Sequence, residues 1–284
     1  MGLIRWTTDY FQRHHIDQAR TDAEILLAHA LGLRRIDLYL NHDQPLHTDE
    51  LKPFKAAIQR RINREPVAYI TGVREFWSLE LAVNPAVLIP RPETECLVEA
   101  VLPTLNRQVE VPMRVLELGT GSGAIIVALA HEHPYHRYVG MDRSLDALYT
   151  ARQNARKHEV DSAIGWFCGN WDAALAPERA TFNLIVSNPP YIRSAEIDAL
   201  QPEIRHFEPR SALDGSGNGL DCLGRILETA HRYLGPGGVL ALEMGHDQAA
   251  DVVAIAAQTG RYHPVRIFPD YGGHDRVAVM EKRR

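Results

Sequence analysis

The segment Val115-Leu116-Glu117-Leu118-Gly119-Thr120-Gly121-Ser122-Gly123-Ala124 constrains the fold more than any other stretch of the chain. An apolar run leads into glycines at alternate positions, and a helical pattern follows. Glycine allows a sharp turn and lets a ligand approach the backbone where a β-carbon would intrude. The segment therefore predicts a buried strand, a ligand-cradling turn and the start of a helix. Taken alone, Gly119, Gly121 and Ala124 also satisfy a loose dinucleotide fingerprint, so the ligand stays open at this point.

Strands and helices alternate through the rest of the second half. Candidate strands are Arg114–Leu118, Tyr138–Asp142, Ile164–Cys168, Phe182–Ser187 and Val239–Glu243, with helices over Gly123–His131 and Leu145–Lys157. This order predicts an α/β fold with a doubly wound, mostly parallel sheet that binds ligands at its strands' carboxyl ends. Upstream, the pattern is helical from Ile4 to about Arg64, with three-and-four spacing in Ala23–Leu31. Thr21 and Glu24 read as a capping box, Gly32 as a helix stop, and a further helix from Asp49 to Arg64 must end near Pro66. The runs Val73–Val83 and Val87–Ile89 flank Asn84-Pro85 and read as a β-hairpin, and Tyr271–Arg276 reads as the turn of another. The expected organisation is a small helical domain over 1–72, a hairpin linker over 73–89 and the ligand-binding domain over 90–284.

Charge and cysteine usage exclude several classes. The net charge is −5, and residues 1–80 hold eleven basic and eleven acidic side chains, which argues against gripping a phosphate backbone. Cys96, Cys168 and Cys222 are odd in number and far apart, so they form neither a disulfide framework nor a metal motif. Residues 1–10 lack the apolar core of a signal peptide, Trp6 stands where a myristoylation signal needs Ser or Thr, and no stretch approaches a membrane span. A cytoplasmic protein is expected. His131 and His133 fall at the end of a predicted helix, where basic groups are favoured anyway, so no metal is expected.

Two acids narrow the ligand. Glu117, just before the turn, would meet an ammonium through water but would be unfavourable beside a pyrophosphate. Asp142 closes the second strand, where a carboxylate accepts from ribose hydroxyls. Together they suit S-adenosylmethionine better than a nicotinamide dinucleotide. Asn170-Trp171-Asp172 follows the third strand, where Trp171 would cover an adenine ring or seal the core edge. After the fourth strand comes Asn188-Pro189-Pro190-Tyr191. The prolines fix the local dihedrals, and the Asn side-chain oxygen with the Pro189 carbonyl can accept both hydrogens of a substrate –NH₂ group. An amide or aniline-like nitrogen is a poor nucleophile because its lone pair is delocalised. Holding both N–H bonds aims that lone pair at an electrophilic methyl group, and Tyr191 would fix the plane of the group.

These residues resemble the HemK/PrmC family, the methyltransferases that modify the glutamine of the Gly-Gly-Gln motif in class I peptide-chain release factors. The resemblance runs through Asp22–Leu27, Thr71–Leu79, Leu88–Glu95, the glycine turn, Asn188–Tyr191 and Arg205–Pro209. It implies a class I (Rossmann-like) methyltransferase domain, with Gly119 to Gly123, Asp142, Trp171 and Asn188 holding S-adenosylmethionine. It places the substrate glutamine on Asn188, Pro189, Pro190 and Tyr191. Gly169-Asn170 departs from relatives with an acid ahead of Trp171, which weakens the expected hydrogen bond to adenine. The helical domain is expected to recognise the protein substrate. Two other acceptors share the clamp: a glutamine of a large-subunit ribosomal protein, whose enzyme lacks the Ile89–Glu95 run, and exocyclic amino groups of nucleic acids, which need a basic surface this chain does not display.

Overall fold

The computed structural model describes residues 2–40, 46–106, 111–171 and 181–284, and it divides into two compact units. The first comprises Met1–Val73 with Gln201–Phe207; the second comprises Arg74–Leu200 with Glu208–Arg284.

The first unit is a helical bundle of α1 (Gly2–Arg13), α2 (Ala19–Leu31), α3 (Asp37–Leu40), α4 (Thr48–Ile62) and α5 (Val67–Thr71). Phe11, Leu26, Phe54 and Ile58 are buried together at its centre. Gly32 ends α2 at φ 65°, as the sequence predicts. The capping box does not form. The helix begins at Ala19, which puts Thr21 and Glu24 inside it, and buried Glu24 instead binds Arg20 and Arg35.

The second unit opens with a hairpin of β1 (Val73–Phe76) and β2 (Leu79–Ala82). Its turn is Trp77-Ser78, both at positive φ (53° and 58°), and not Asn84-Pro85; Val87–Ile89 forms no strand. The two-residue loop needs both central residues in the left-handed region, which neither Trp nor Ser advertises. Glu95 supports it by accepting from the Trp77 N–H at 2.9 Å.

Beyond it lie α6 (Glu95–Leu105), β3 (Arg114–Leu118), α7 (Ala124–Glu132), β4 (Arg137–Asp142), α8 (Leu145–Lys157), β5 (Ile164–Cys168) and β6 (Phe182–Ser187). After these come α9 (Pro202–Phe207), α10 (Asp221–Thr229), β7 (Leu234–Glu243), α11 (Ala249–Thr259), β8 (Arg266–Pro269) and β9 (Asp275–Glu281), α9 clustering with the first unit. The seven-stranded sheet runs β5-β4-β3-β6-β7-β9-β8, with β9 antiparallel to both its neighbours. β7 starts five residues before its expected first residue, Val239. Gly235, Pro236, Gly237 and Gly238 hide that start, and a register shift between Phe182 and Leu184 of β6 absorbs them. The Tyr271–His274 segment joins β8 to β9 as the expected hairpin turn.

Side chains alternate across the sheet with period two. Val115, Leu184, Val186 and Val239 pack with α6 and α7 on one face; Leu116, Ile185, Leu240 and Leu242 pack with α10 and α11 on the other. Strand order reverses between β3 and β6, whose ends are in register at Leu118 and Ser187. That reversal opens a crevice at the carboxyl edge and sets Gly119 beside Asn188.

Candidate active site

Gly119, Gly121 and Gly123 all adopt left-handed φ, at 72°, 53° and 80°. The Gly119 and Thr120 N–H groups donate to the Met141 carbonyl at 2.8 and 2.9 Å, tying the turn to β4. A β-carbon on Gly123 would come within 3.0 Å of Ala151 Cβ, so this glycine sets the approach of α7 to α8. A β-carbon on Gly121 would meet nothing within 4 Å, so the backbone there lies open.

The turn borders an open cleft. Glu117, Gly119, Thr120, Gly121 and Ser122 line it from β3 and the turn, Asp142 from the end of β4, and Asn170 and Trp171 from the segment after β5. Asn188 and Pro190 line it from the end of β6. Of the residues expected at the site, Gly123, Pro189 and Tyr191 do not line this cleft. Gly123 caps α7, Pro189 is buried, and Tyr191 packs against the core while its hydroxyl donates to Glu243. Asp172 lies outside the described residues.

The electrostatics follow from burial. Glu117 is only 1 % exposed, and among the described residues it is held by the Thr120 hydroxyl and the Ile126 backbone N–H, with no cationic partner. Burial pushes its carboxyl up to about 8, the hydroxyl of Thr120 pulling it down and the nearby Asp142 carboxylate adding to the rise. Asp142 accepts from the Gly121 N–H through Oδ2 and from the Ser144 N–H through Oδ1, both at 2.9 Å. Each oxygen keeps a second lone pair. The Trp171 ring lies about 3.7 Å from where a Gly119 β-carbon would be, and it packs against the core as well.

At the clamp, Asn188 Nδ2 donates to Thr94 Oγ1 at 3.1 Å. Using the amide nitrogen in this way leaves Oδ1 as the acceptor that the side chain can offer to a ligand. The sequence reading missed Thr94 in this role, along with Arg91, which lines the cleft and donates to buried Glu208 at 2.5 Å. The only signal lay in the runs Leu88–Glu95 and Arg205–Pro209, whose residues meet across more than a hundred positions of chain.

Residues 2–72 match the family model "PrmC N-terminal domain", and residues 94–206 match "Methyltransferase small domain". The release factor glutamine methyltransferase of Geobacter sulfurreducens is 43% identical over 97% of this chain and 94% of its own length. The Escherichia coli K12 protein of the same name is 41% identical over 93% of this chain and 92% of its own. Among solved structures, a methyltransferase from Pyrococcus furiosus superposes with TM-score 0.51 at 17% identity, covering 72% of this chain and 90% of its own. The hMettl16 catalytic domain superposes with TM-score 0.58 at 14% identity, covering 76% and 80%. The fold is thus that of the class I methyltransferases, and the near full-length identity shows that this chain belongs to the release factor glutamine methyltransferase family.

Proposed function

We propose that the protein transfers a methyl group from S-adenosylmethionine to the side-chain amide nitrogen of a release-factor glutamine, the one in the Gly-Gly-Gln motif of class I factors. The observation that carries this reading is the orientation of Asn188, whose nitrogen is engaged by Thr94 so that its oxygen remains to accept a substrate N–H at the cleft. The names of the full-length relatives favour a release factor over a ribosomal protein or a nucleic acid as the methyl acceptor.

The residues fit the cofactor. Glu117 is a buried acid lacking a cation, which an amino-acid ammonium would supply. Asp142 keeps lone pairs for ribose hydroxyls, and the open backbone at Gly121 admits close approach. When bound, the cofactor supplies a sulfonium-activated methyl group. The protein's part is to hold a substrate N–H bond through Asn188 Oδ1, which lines the cleft, and so localise the nitrogen lone pair. Water exclusion by Pro190, Trp171 and the buried edge strengthens that hydrogen bond.

The domain reading extends this. A single glutamine offers too little surface for protein-level specificity, so residues 1–72 serve to recognise the release factor, while 73–89 link them to the catalytic domain over 90–284. Support comes from Trp6, Ile36 and Leu40, large apolar side chains left exposed on the helical unit. No helix among the described residues is long and apolar enough to cross a membrane. Mass spectrometry of a release factor incubated with enzyme and S-adenosylmethionine tests the whole reading. Fragment ions should carry one added methyl on the Gly-Gly-Gln glutamine; a methyl elsewhere, or none, contradicts it.

A further inference from the structure

Glu243 ends β7, is 1 % exposed and has no part in the chemistry described so far. Its Oε1 accepts from the Tyr191 hydroxyl at 3.0 Å, while its Oε2 is buried with no hydrogen-bond partner among the described residues. Arg276, whose charge favours the ionised carboxylate, donates to Asp270 and the Met244 carbonyl rather than to Glu243. An unmet buried acceptor is costly, so Oε2 calls for a donor. Thr94 is the hydroxyl placed to supply it. Its oxygen already accepts from Asn188, its single hydrogen is unspent, and its hydroxyl stands close enough to Glu243 to favour the ionised carboxylate.

We propose that Glu243 is a positioning residue for methyl transfer: by accepting from the Thr94 and Tyr191 hydroxyls, it fixes the direction of the hydrogen-bond chain and keeps Asn188 Oδ1 turned to the substrate. The proposal rests on the reading of Asn188 as the acceptor of a substrate N–H. A hydroxyl donates one hydrogen and accepts through its lone pairs. With the Thr94 hydrogen given to Glu243, only the Asn188 NH₂ can complete the Thr94 contact. Without Glu243, the Thr94 hydroxyl is free to donate to Asn188 Oδ1 instead. The amide then flips at almost no change in shape and points its own NH₂ at the substrate NH₂, donor against donor. Burial raises the Glu243 carboxyl, and the Thr94 and Tyr191 hydroxyls oppose that rise.

The test is a double-mutant cycle read by single-turnover methylation of a release factor at saturating S-adenosylmethionine, with cofactor affinity titrated for every variant. Glu243→Gln scrambles donors and acceptors with little change in volume, and Thr94→Val removes the hydroxyl. Each should slow methyl transfer roughly tenfold or more, with cofactor affinity moving less than about threefold. Combining them should cost no more than about threefold beyond the worse single variant, because both break one chain. Thr94→Ser, which restores the hydroxyl, should recover the rate to within about threefold of wild type. Additive losses, or losses matched by weaker cofactor binding, would make Glu243 a structural residue and overturn the proposal. Should Glu243→Gln fail to fold, the contrast between Thr94→Val and Thr94→Ser decides alone. Asn188→Ala separates the two levels. If it slows transfer while Glu243→Gln and Thr94→Val do not, only the positioning role fails. If it too runs at the wild-type rate, the amide reading beneath it fails.

Discussion

The helical unit and two strand-end acids of the sheet, Glu117 and Glu243, bury charge in different ways. In the helical unit, the Arg61 guanidinium donates to Asp22 at 2.8 Å and to Glu203 at 2.9 Å, and Arg64 holds the other Glu203 oxygen at 2.9 Å. Burial pushes the Glu24 carboxyl up, but hydrogen bonds from Tyr39, Arg20 and Arg35 outweigh it and hold the group below its ordinary range. Every buried acid there has a cation. At the carboxyl edge of the sheet, Glu117 and Glu243 are just as buried, and among the described residues they are held by hydroxyls and, for Glu117, the Ile126 backbone N–H, with no ion pair. Ion pairs compensate the buried acids of the helical unit, whereas Glu117 at the cleft has no such partner among the described residues, and in the function proposed above a ligand ammonium would supply it.

The largest effect should come from Arg61→Ala. It strands Asp22 and half of Glu203, and breaking such a buried pair should cost roughly 3–5 kcal/mol. Urea denaturation would show it as a lower midpoint, while the folded variant should bind S-adenosylmethionine within about twofold of wild type. A stability loss below about 1 kcal/mol would mean that the helical unit does not depend on this network.

Next in size is the pH response of Glu117. Its carboxyl is raised to about 8 in the folded chain and lies near 4.5 when unfolded. Between those values the folded state keeps a proton that the unfolded chain has released, so stability falls as pH rises through the window. The cofactor-free protein should therefore lose melting temperature from pH 5 to pH 8. Glu117→Gln, which mimics the neutral acid, should remove that part of the loss. Parallel melting curves for the two proteins across this range would show that Glu117 is not the strained acid. The comparison sharpens if saturating cofactor narrows the gap between them, since an ammonium compensates the wild-type carboxylate and not the amide.

A smaller change is expected for Asp142→Ala. Losing charge-assisted hydrogen bonds to ribose should weaken cofactor binding by about 1.5–3 kcal/mol, or roughly ten- to a hundredfold. Because Asp142 also accepts from Gly121 and Ser144, Asp142→Asn separates turn support from ligand contact by keeping one acceptor oxygen. Calorimetry giving unchanged affinity for both variants would remove Asp142 from the cofactor site.

What the sequence made legible was local. β3, β5 and β6 occupy their expected residues, and the glycine turn follows β3, because an apolar strand run into spaced glycines is a short-range signal. The hairpin turn at Trp77-Ser78 was not legible, since its two positive-φ residues carry no turn chemistry and are supported by Glu95, distant in sequence. Thr21 looked like a cap because Ser and Thr favour that position, but tertiary packing begins α2 earlier and takes Glu24 into an ion network. At the site, Asp142 and Asn188 could be placed by counting strand ends. Thr94 and Glu243 could not: the Asn188–Thr94 bond spans 94 positions and the Tyr191–Glu243 bond spans 52, and no local pattern announces a contact of that range.

Single-turnover methylation by Asn188→Ala, with a cofactor titration beside it, tests the division of labour between turn and clamp most directly. The substitution leaves Gly119 to Gly123 and Asp142 in place and removes the oxygen meant for the substrate N–H. Transfer to the release-factor glutamine should slow by about 10²–10³, with cofactor affinity falling far less. A near wild-type rate would contradict nitrogen activation by Asn188, and a loss confined to cofactor affinity would make the clamp a cofactor determinant instead.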